Sequence, residues 1–227
     1  MSRVVVFSGA GISAESGLPT FRDNGGLWHN HSVYDVATPE AWQRDPHLVL
    51  DFYNARRQGL RKVKPNAAHL ALAQLEQHCE VVVVTQNVDD LHERAGSSNV
   101  IHLHGELTKA RSTERESLVY DLGDRDIAWG DVCELGSQLR PHVVWFGEMV
   151  HNTDEACEAI AQADRLLVVG TSLSVYPAAG FIELAPPAAE RVVVAPELDR
   201  VPAGFEWLQG PATEHVPVLC QRWELGK

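Results

Sequence analysis

Arg3-Val4-Val5-Val6-Phe7-Ser8-Gly9-Ala10-Gly11-Ile12-Ser13-Ala14 is the stretch that decides the fold. Its near-continuous apolar, β-branched run reads as a strand covered on both faces, as in a parallel sheet. The run ends in Gly9-Ala10-Gly11-Ile12-Ser13-Ala14, which satisfies G-x-G-x-x-[GA] and leads into a helix start at Ser13-Ala14-Glu15-Ser16. Glycines there allow a tight turn and the close approach of a pyrophosphate, so the turn predicts nucleotide binding. Similar short runs recur at Val81–Val84, His142–Trp145, Leu166–Val169 and Arg191–Val194. Helix-period segments lie between them. One is capped by Asn66 and runs to His78, another spans Asp89 to Ala95 and stops at Gly96, a third opens at Thr153 and a fourth at Pro177. Alternating strands and helices predict an α/β fold, a Rossmann-like doubly wound parallel sheet.

Two stretches break that rhythm. Residues 34–65, with a helix from about Pro46 to Lys62, and the charged residues 106–140 read as insertions that jointly form a small second domain. The large domain is then 1–33, 66–105 and 141–227. In the second insertion, Leu118, Tyr120, Leu122, Ile127 and Trp129 are the expected core. The 227 residues carry 19 Lys and Arg against 31 Asp and Glu, a formal charge of −12. Such a surface repels phosphate backbones and anionic lipid, so neither nucleic acid nor membrane is an expected partner, whereas a basic protein substrate is steered favourably. No run reaches the length of a signal-peptide core or a spanning helix. Four scattered cysteines without a CxxC pair argue against a disulfide framework. A cytoplasmic enzyme is the expectation.

Several chemistries are excluded by motif. No G-x-x-x-x-G-K-[ST] is present, Ser172 lacks the glycine of a nucleophile elbow two residues on, and His104-Gly105-Glu106 has no P-C-x-x-C behind it. A ribose-binding acid about 20 residues past the glycine turn would have to follow a second strand, which begins only at Val81; an ordinary hydride-transfer dehydrogenase is disfavoured. Gln86-Asn87-Val88-Asp89 directly follows that second strand, where polar groups either face a ligand crevice or cap the next helix. His102-Leu103-His104 alternates like a strand, placing two imidazoles on one face.

Together these segments resemble the sirtuin family of NAD-dependent protein-lysine deacylases. The resemblance rests on Gly9–Ser13 with Gly17-Leu18-Pro19-Thr20-Phe21-Arg22, then Thr85–Asp89, His102–Leu107, Arg140–Glu148 and Gly170–Val175, in the family's order. It implies that Gly9, Ala10, Gly11 and Ser13 hold the NAD phosphates and that Phe21 and Arg22 lie in a cofactor loop. Gln86 would contact the nicotinamide ribose, Asn87 and Asp89 the nicotinamide, and Gly170, Thr171 and Ser172 phosphate and ribose. Val144, Phe146, Gly147 and Val175 would sandwich an acylated peptide by strand addition. His104 would be the catalytic base, taking a ribose hydroxyl proton after the acyl oxygen has displaced nicotinamide from C1′; a histidine suits this because it is mostly neutral at pH 7. NAD is consumed, giving nicotinamide, free lysine and O-acyl-ADP-ribose. An NAD glycohydrolase or mono-ADP-ribosyltransferase, and a non-catalytic NAD-binding sensor, are the alternatives.

Tyr53 and Arg56 lie three apart on the Pro46–Lys62 helix and project to one side. They resemble the Y-x-x-R pair of the subclass that prefers succinyl, malonyl and glutaryl lysine, an arginine fork and phenol clamping a distal carboxylate. A solvated basic face with Arg57, Arg61 and Lys62 is the plainer reading. The resemblance implies desuccinylase and demalonylase activity with retained deacetylation. Two departures stand out. The interval that carries the family's zinc cysteines has only Cys133, with Ser112 where a first cysteine is expected, so no zinc is predicted. The family's adenosine-binding Asn-x-Glu reads Ala195-Pro196-Glu197, leaving Glu197 and Ala212 as the adenosine contacts.

Overall fold

A computed structural model describes residues 1–20, 27–28, 31–174 and 176–226. In chain order the strands are β1 (Arg3–Ser8), β2 (Leu27–Trp28), β3 (His31–Ser32), β4 (Glu80–Thr85), β5 (Val100–His102), β6 (Gly105–Ser112), β7 (Val119–Asp121), β8 (Leu139–Val143), β9 (Arg165–Val169), β10 (Glu190–Ala195) and β11 (Glu206–Gln209). The helices are α1 (Gly11–Ala14), α2 (Val33–Val36), α3 (Pro39–Arg44), α4 (Pro46–Leu60), α5 (Ala67–Leu75), α6 (Leu91–Ala95), α7 (Thr153–Ala161) and α8 (Ala212–Glu224), with a 3₁₀ turn at Ala178–Leu184.

Six strands form the parallel sheet, ordered β11-β10-β9-β1-β4-β5. The chain builds outward from β1 in one direction through β4 and β5, then returns to build β9, β10 and β11 on the other side. That reversal beside β1 is the switch point of a doubly wound sheet, where ligands bind. Alternate valines of β1 enter two different cores. Val4 and Val6 meet α5 and α8, while Val5 and Phe7 meet α7 and the 3₁₀ turn. Burial on both faces explains why these strands have no polar alternation. Asn66 caps α5 through a full capping box, and Gly96 closes α6 at φ 107°.

Three expectations are corrected. His142–Trp145 is not a parallel strand: β8 pairs antiparallel with β6 in the sheet β7-β6-β8. Its residues are apolar because Val143 and Trp145 pack on Val49, Phe52 and Tyr53 of α4. Pro177 opens a 3₁₀ turn rather than an α-helix. Leu122 and Ile127 are core, joined by Ala110 and Leu50, but Trp129 is 55% exposed and leans on His47. It directly precedes Gly130, whose φ of 99° turns the chain there. Among the described residues, no helix is long and apolar enough to cross a membrane.

Candidate active site

At the switch point two loops interlock. The amide of Gly9 donates to the Val169 carbonyl at 3.0 Å and that of Gly11 to the Gly170 carbonyl at 2.7 Å. A Cβ on Gly9 would lie 2.8 Å from the Gly170 oxygen, and one on Gly11 2.8 Å from the Gly170 Cα. Gly170 has φ 65°, and a Cβ there would lie 2.1 Å from the Ile12 nitrogen. The first glycines are therefore required by a second loop about 160 residues away, as much as by any ligand. Ala10 is exposed at the tip of this turn, and Ser13 is buried beneath it.

Gln86–Asp89 leaves the end of β4 alongside. Asn87 Nδ2 donates to Ser13 Oγ at 3.2 Å, and the Asn87 amide donates to Thr85 Oγ1 at 3.0 Å. Asp89 Oδ1 accepts the Leu91 amide, so it also caps α6. Burial raises the Asp89 carboxyl above its ordinary range, opposed by that amide and by the Ser13 hydroxyl. Gln86 Oε1 accepts the Thr171 hydroxyl at 3.0 Å, while Gln86 Nε2 is buried with no partner among the described residues. A buried, unused amide donor is costly unless something occupies it, which fits a ligand oxygen here. Thr171 Oγ1 also accepts the Leu173 amide, and Leu173 is held at φ 56°.

The two histidines are distinguished by what they touch. Strand β5 ends at His102, so the imidazoles do not share a strand face. Instead each reaches a carbonyl of the neighbouring turn. His104 Nδ1 donates to the Gln86 carbonyl at 2.9 Å. A carbonyl only accepts, so Nδ1 carries the proton and Nε2 keeps a bare lone pair. Burial lowers its pKa, opposed by that carbonyl and reinforced by His151, which keeps the ring neutral with Nε2 able to accept a proton. His102 Nδ1 donates to the Asn87 carbonyl at 3.0 Å and its Nε2 to a Glu93 carboxylate oxygen at 2.7 Å. Two acceptors demand two protons. Burial opposes that charge, yet the Glu93 hydrogen bond and charge outweigh it and raise the pKa. His102 is a structural imidazolium and His104 the base-competent ring.

On the far side, Tyr53 is fully buried and its hydroxyl accepts the Trp145 indole N–H at 3.1 Å. Burial raises its pKa to about 12, so the hydroxyl keeps a proton to donate. Arg56 is half-buried, its guanidinium carbon 5.9 Å from the Tyr53 ring centre and 5.8 Å from that of Phe52. Burial lowers its pKa to about 10, which leaves it cationic at neutral pH and within the field of Tyr53 and Asp89. Arg57 does not belong to a solvated basic face, being buried and donating to the Leu107 carbonyl and Asn54, whereas Arg61 and Lys62 are exposed. Sequence reasoning missed the support behind Trp145. Glu148 accepts from Arg140 at 2.6 Å, Arg111 at 3.1 Å and the Trp145 amide at 2.8 Å, with Arg140 stacked on the indole. A buried arginine gives no periodic signal; only the Phe146-Gly147-Glu148 run pointed there.

The remaining predicted residues divide. The Val144 and Phe146 amides donate to the carbonyls of His104 and Ala37, and Gly147 turns at φ 91°. The backbone donors of Val144 and Phe146 are thus already engaged. Ser172 lies beside Thr171 with its hydroxyl 2.6 Å from that of Ser174. The Ala212 amide at the start of α8 donates to Glu15 Oε1 at 2.7 Å, and Glu197 is exposed beyond β10. Phe21, Arg22 and Val175 lie outside the described residues. In the antiparallel module, Cys133 Sγ sits 3.0 Å from Ser137 Oγ and 3.4 Å from Ser112 Oγ, and the two hydroxyls are 2.8 Å apart. Among the described residues, no three His, Cys, Asp or Glu side chains converge as metal ligands.

Comparison with known proteins identifies similar chains and similar folds. The NAD-dependent protein deacylase of Helicobacter pylori is 55% identical over 179 residues, 79% of this chain and 78% of that one. A Sir2 homolog–NAD complex superposes with a TM-score of 0.86 at 38% identity, covering 99% of this chain and 90% of that chain. A Sir2 protein bound to a myristoylated histone peptide gives 0.74 at 32% identity, covering 99% and 93%. The Sir2 family model matches residues 9–177, which contain the interlocked glycines, the Gln86–Asp89 turn and both histidines, and the chain belongs to the Sir2 family.

Proposed function

We propose that this chain is an NAD-dependent protein-lysine deacylase, releasing nicotinamide, free lysine and O-acyl-ADP-ribose. The observation that carries the reading is His104, neutral, with its bare Nε2 beside the Gln86–Asp89 turn. In this reading Gly9, Ala10, Gly11 and Ser13 hold the phosphates of NAD, and Gly170, Thr171 and Ser172 receive phosphate and ribose. The unused Gln86 Nε2 donates to the nicotinamide ribose, and Asn87 and Asp89 line the nicotinamide site. NAD supplies the ADP-ribosyl group that takes the acyl chain. His104 removes a ribose hydroxyl proton, with the Gln86 carbonyl fixing its tautomer. Val144, Phe146 and Gly147 border the peptide, and Glu197 and Ala212 the adenosine. Residues 34–65 and 106–140 act as the smaller of two lobes.

The acyl preference follows from Tyr53 and Arg56. A protonated phenol and a cationic guanidinium on one helix side fit a distal carboxylate, favouring succinyl and malonyl lysine with acetyl lysine also accepted. The zinc of the family does not fit here: one thiol bonded to two serine hydroxyls cannot make a tetrahedral structural site, and the reading is a zinc-free module. Four unbridged thiols suit a reducing, cytoplasmic setting.

Mass spectrometry of succinyl- and acetyl-lysine peptides incubated with NAD tests the proposal. Free lysine with matching O-acyl-ADP-ribose is the expected product pair. Nicotinamide release without an acylated ADP-ribose would mean a glycohydrolase, and NAD binding without turnover a sensor.

A further inference from the structure

Beneath the site lies a set of buried polar groups that the chemistry above does not use. Ser8, Thr85, His69 and His92 are each essentially inaccessible. Ser8 Oγ lies 2.8 Å from Thr85 Oγ1 and 3.0 Å from His92 Nε2, and Thr85 Oγ1 also accepts the Asn87 amide at 3.0 Å. The His69 and His92 rings meet edge to face with centroids 4.9 Å apart. His69 Nε2 and His92 Nδ1 are both buried without a hydrogen-bond partner among the described residues. Each end of the set reaches the phosphate loop. Asn66 donates to Ile12 O at 2.8 Å and Ser16 Oγ at 3.0 Å, and its own amide donates to His69 Nδ1 at 3.4 Å. At the other end Asn87 Nδ2 returns to Ser13 Oγ.

We infer that His92, Ser8 and Thr85 form a one-directional hydrogen-bond chain that positions Asn87 by tying the nicotinamide segment to the phosphate loop. The direction is decided at Ser8, whose single hydroxyl proton goes to Thr85 Oγ1. Its contact with His92 must then take the proton from Nε2. Burial holds the His92 ring neutral, so its Nδ1 is the bare nitrogen. Thr85 in turn accepts the Asn87 amide. The His69 ring packs edge to face on His92, outside the hydrogen-bond chain. His92, Ser8 and Thr85 are positioning residues, acting on nicotinamide only through Asn87.

The inference rests on nicotinamide lying against Asn87, so the experiment separates the two. In Asn87→Ala, unchanged inhibition by nicotinamide would overturn that placement. If Asn87→Ala weakens nicotinamide inhibition, Thr85→Val, which keeps the β-branched shape, should raise the inhibition constant about five- to tenfold and lower kcat similarly. Peptide KM should stay within about twofold, and Thr85→Ser should restore both parameters. Wild-type nicotinamide inhibition in Thr85→Val, or equal losses for peptide and nicotinamide, would overturn the positioning role. A second readout needs no variant to fold. Two-bond ¹⁵N–¹H correlation spectra of the wild-type protein should place the proton of His92 on Nε2. A proton on Nδ1 of His92 would overturn the chain's direction and with it the inference.

Discussion

The ligand end of the parallel sheet and the tip of the antiparallel module are held by opposite means. At the first, backbone meets backbone: Gly9, Gly11 and Gly170 leave no room for a single methyl group. At the second, Ser112, Cys133 and Ser137 meet through side chains, while Gly123, Gly130 and Gly136 turn in open space. A backbone interlock has no substitute, since any side chain collides with atoms that cannot rotate away. A side-chain cluster has many. The difference explains why the glycine turn admits no side chain while the tip of the module can exchange one small polar group for another.

The sharpest way to break this contrast is one methyl group at each end. Gly170→Ala places a Cβ 2.1 Å from a backbone nitrogen at φ 65°, so both steric overlap and strain apply. We expect a loss of at least about 3 kcal/mol of stability, or no soluble protein, with no deacylation. Gly123→Ala has φ 56° but nothing within 4 Å, so only the backbone cost of about 1 kcal/mol remains. Thermal melts of the two proteins measure the difference. Equal shifts would mean that the interlock is not what holds the two loops.

Between the two regions stand the paired histidines, and here chemistry rather than packing should fail. His104→Ala should fold normally and lose about 10²- to 10⁴-fold in kcat. Because burial lowers the His104 pKa, the acid limb of kcat/KM should fall below pH 6.5 rather than at it. His102 has the opposite sign. Its raised pKa means that its bond to Glu93 stabilises fully below the unfolded value of about 6.5 and fades as pH rises through the folded value. His102→Gln should therefore lower the melting temperature more at pH 6 than at pH 9. A reversed order would remove the imidazolium assignment.

Next in size is acyl selectivity, which tests whether α4 contributes a charge or only packing. Arg56→Met should reduce succinyl-lysine turnover about 30- to 1000-fold, mainly through KM, and leave acetyl-lysine turnover nearly unchanged. Tyr53→Phe carries an added cost visible only in three dimensions. It strands the buried Trp145 N–H, so about 1–3 kcal/mol of stability should go with it and both acyl groups should suffer. Equal losses on both acyl groups in Arg56→Met would return the arginine to a structural role.

What could be read from sequence follows the same divide. β1, β4, β9 and β10 were legible because strands buried on both faces need unbroken apolar runs, and the Gly9–Ser13 turn because its shape needs glycine. β11 was missed because Glu206-Trp207-Leu208-Gln209 is an edge strand with polar ends. His142–Trp145 misled because an apolar run records burial, not which sheet does the burying. Trp129 misled because an aromatic can lean on a neighbouring helix from outside, here on His47 of α4. The chain from His92 to Thr85 was invisible: single polar residues at element ends have no period, and their partners are set only by the fold.

The smallest effect sharpens the comparison at its weak end. Cys133 is hydrogen-bonded to two serine hydroxyls, which pull its thiol pKa down to about 7. Ser112 Oγ in addition accepts the amides of Glu114 and Arg115 at 3.1 Å each, so it closes the turn from within. Cys133→Ser preserves a hydrogen-bonding group of similar size and should change stability by less than about 1 kcal/mol. Ser112→Ala removes the shared acceptor of two amides and should cost more, about 1–2 kcal/mol. A chelator should alter neither the melting temperature nor the activity of the tag-free protein, and metal analysis should find well below one zinc per chain. A sharp loss on chelation, or a Cys133→Ser protein that no longer folds, would show that the module depends on a thiolate–metal bond, and the contrast between the two regions would fail.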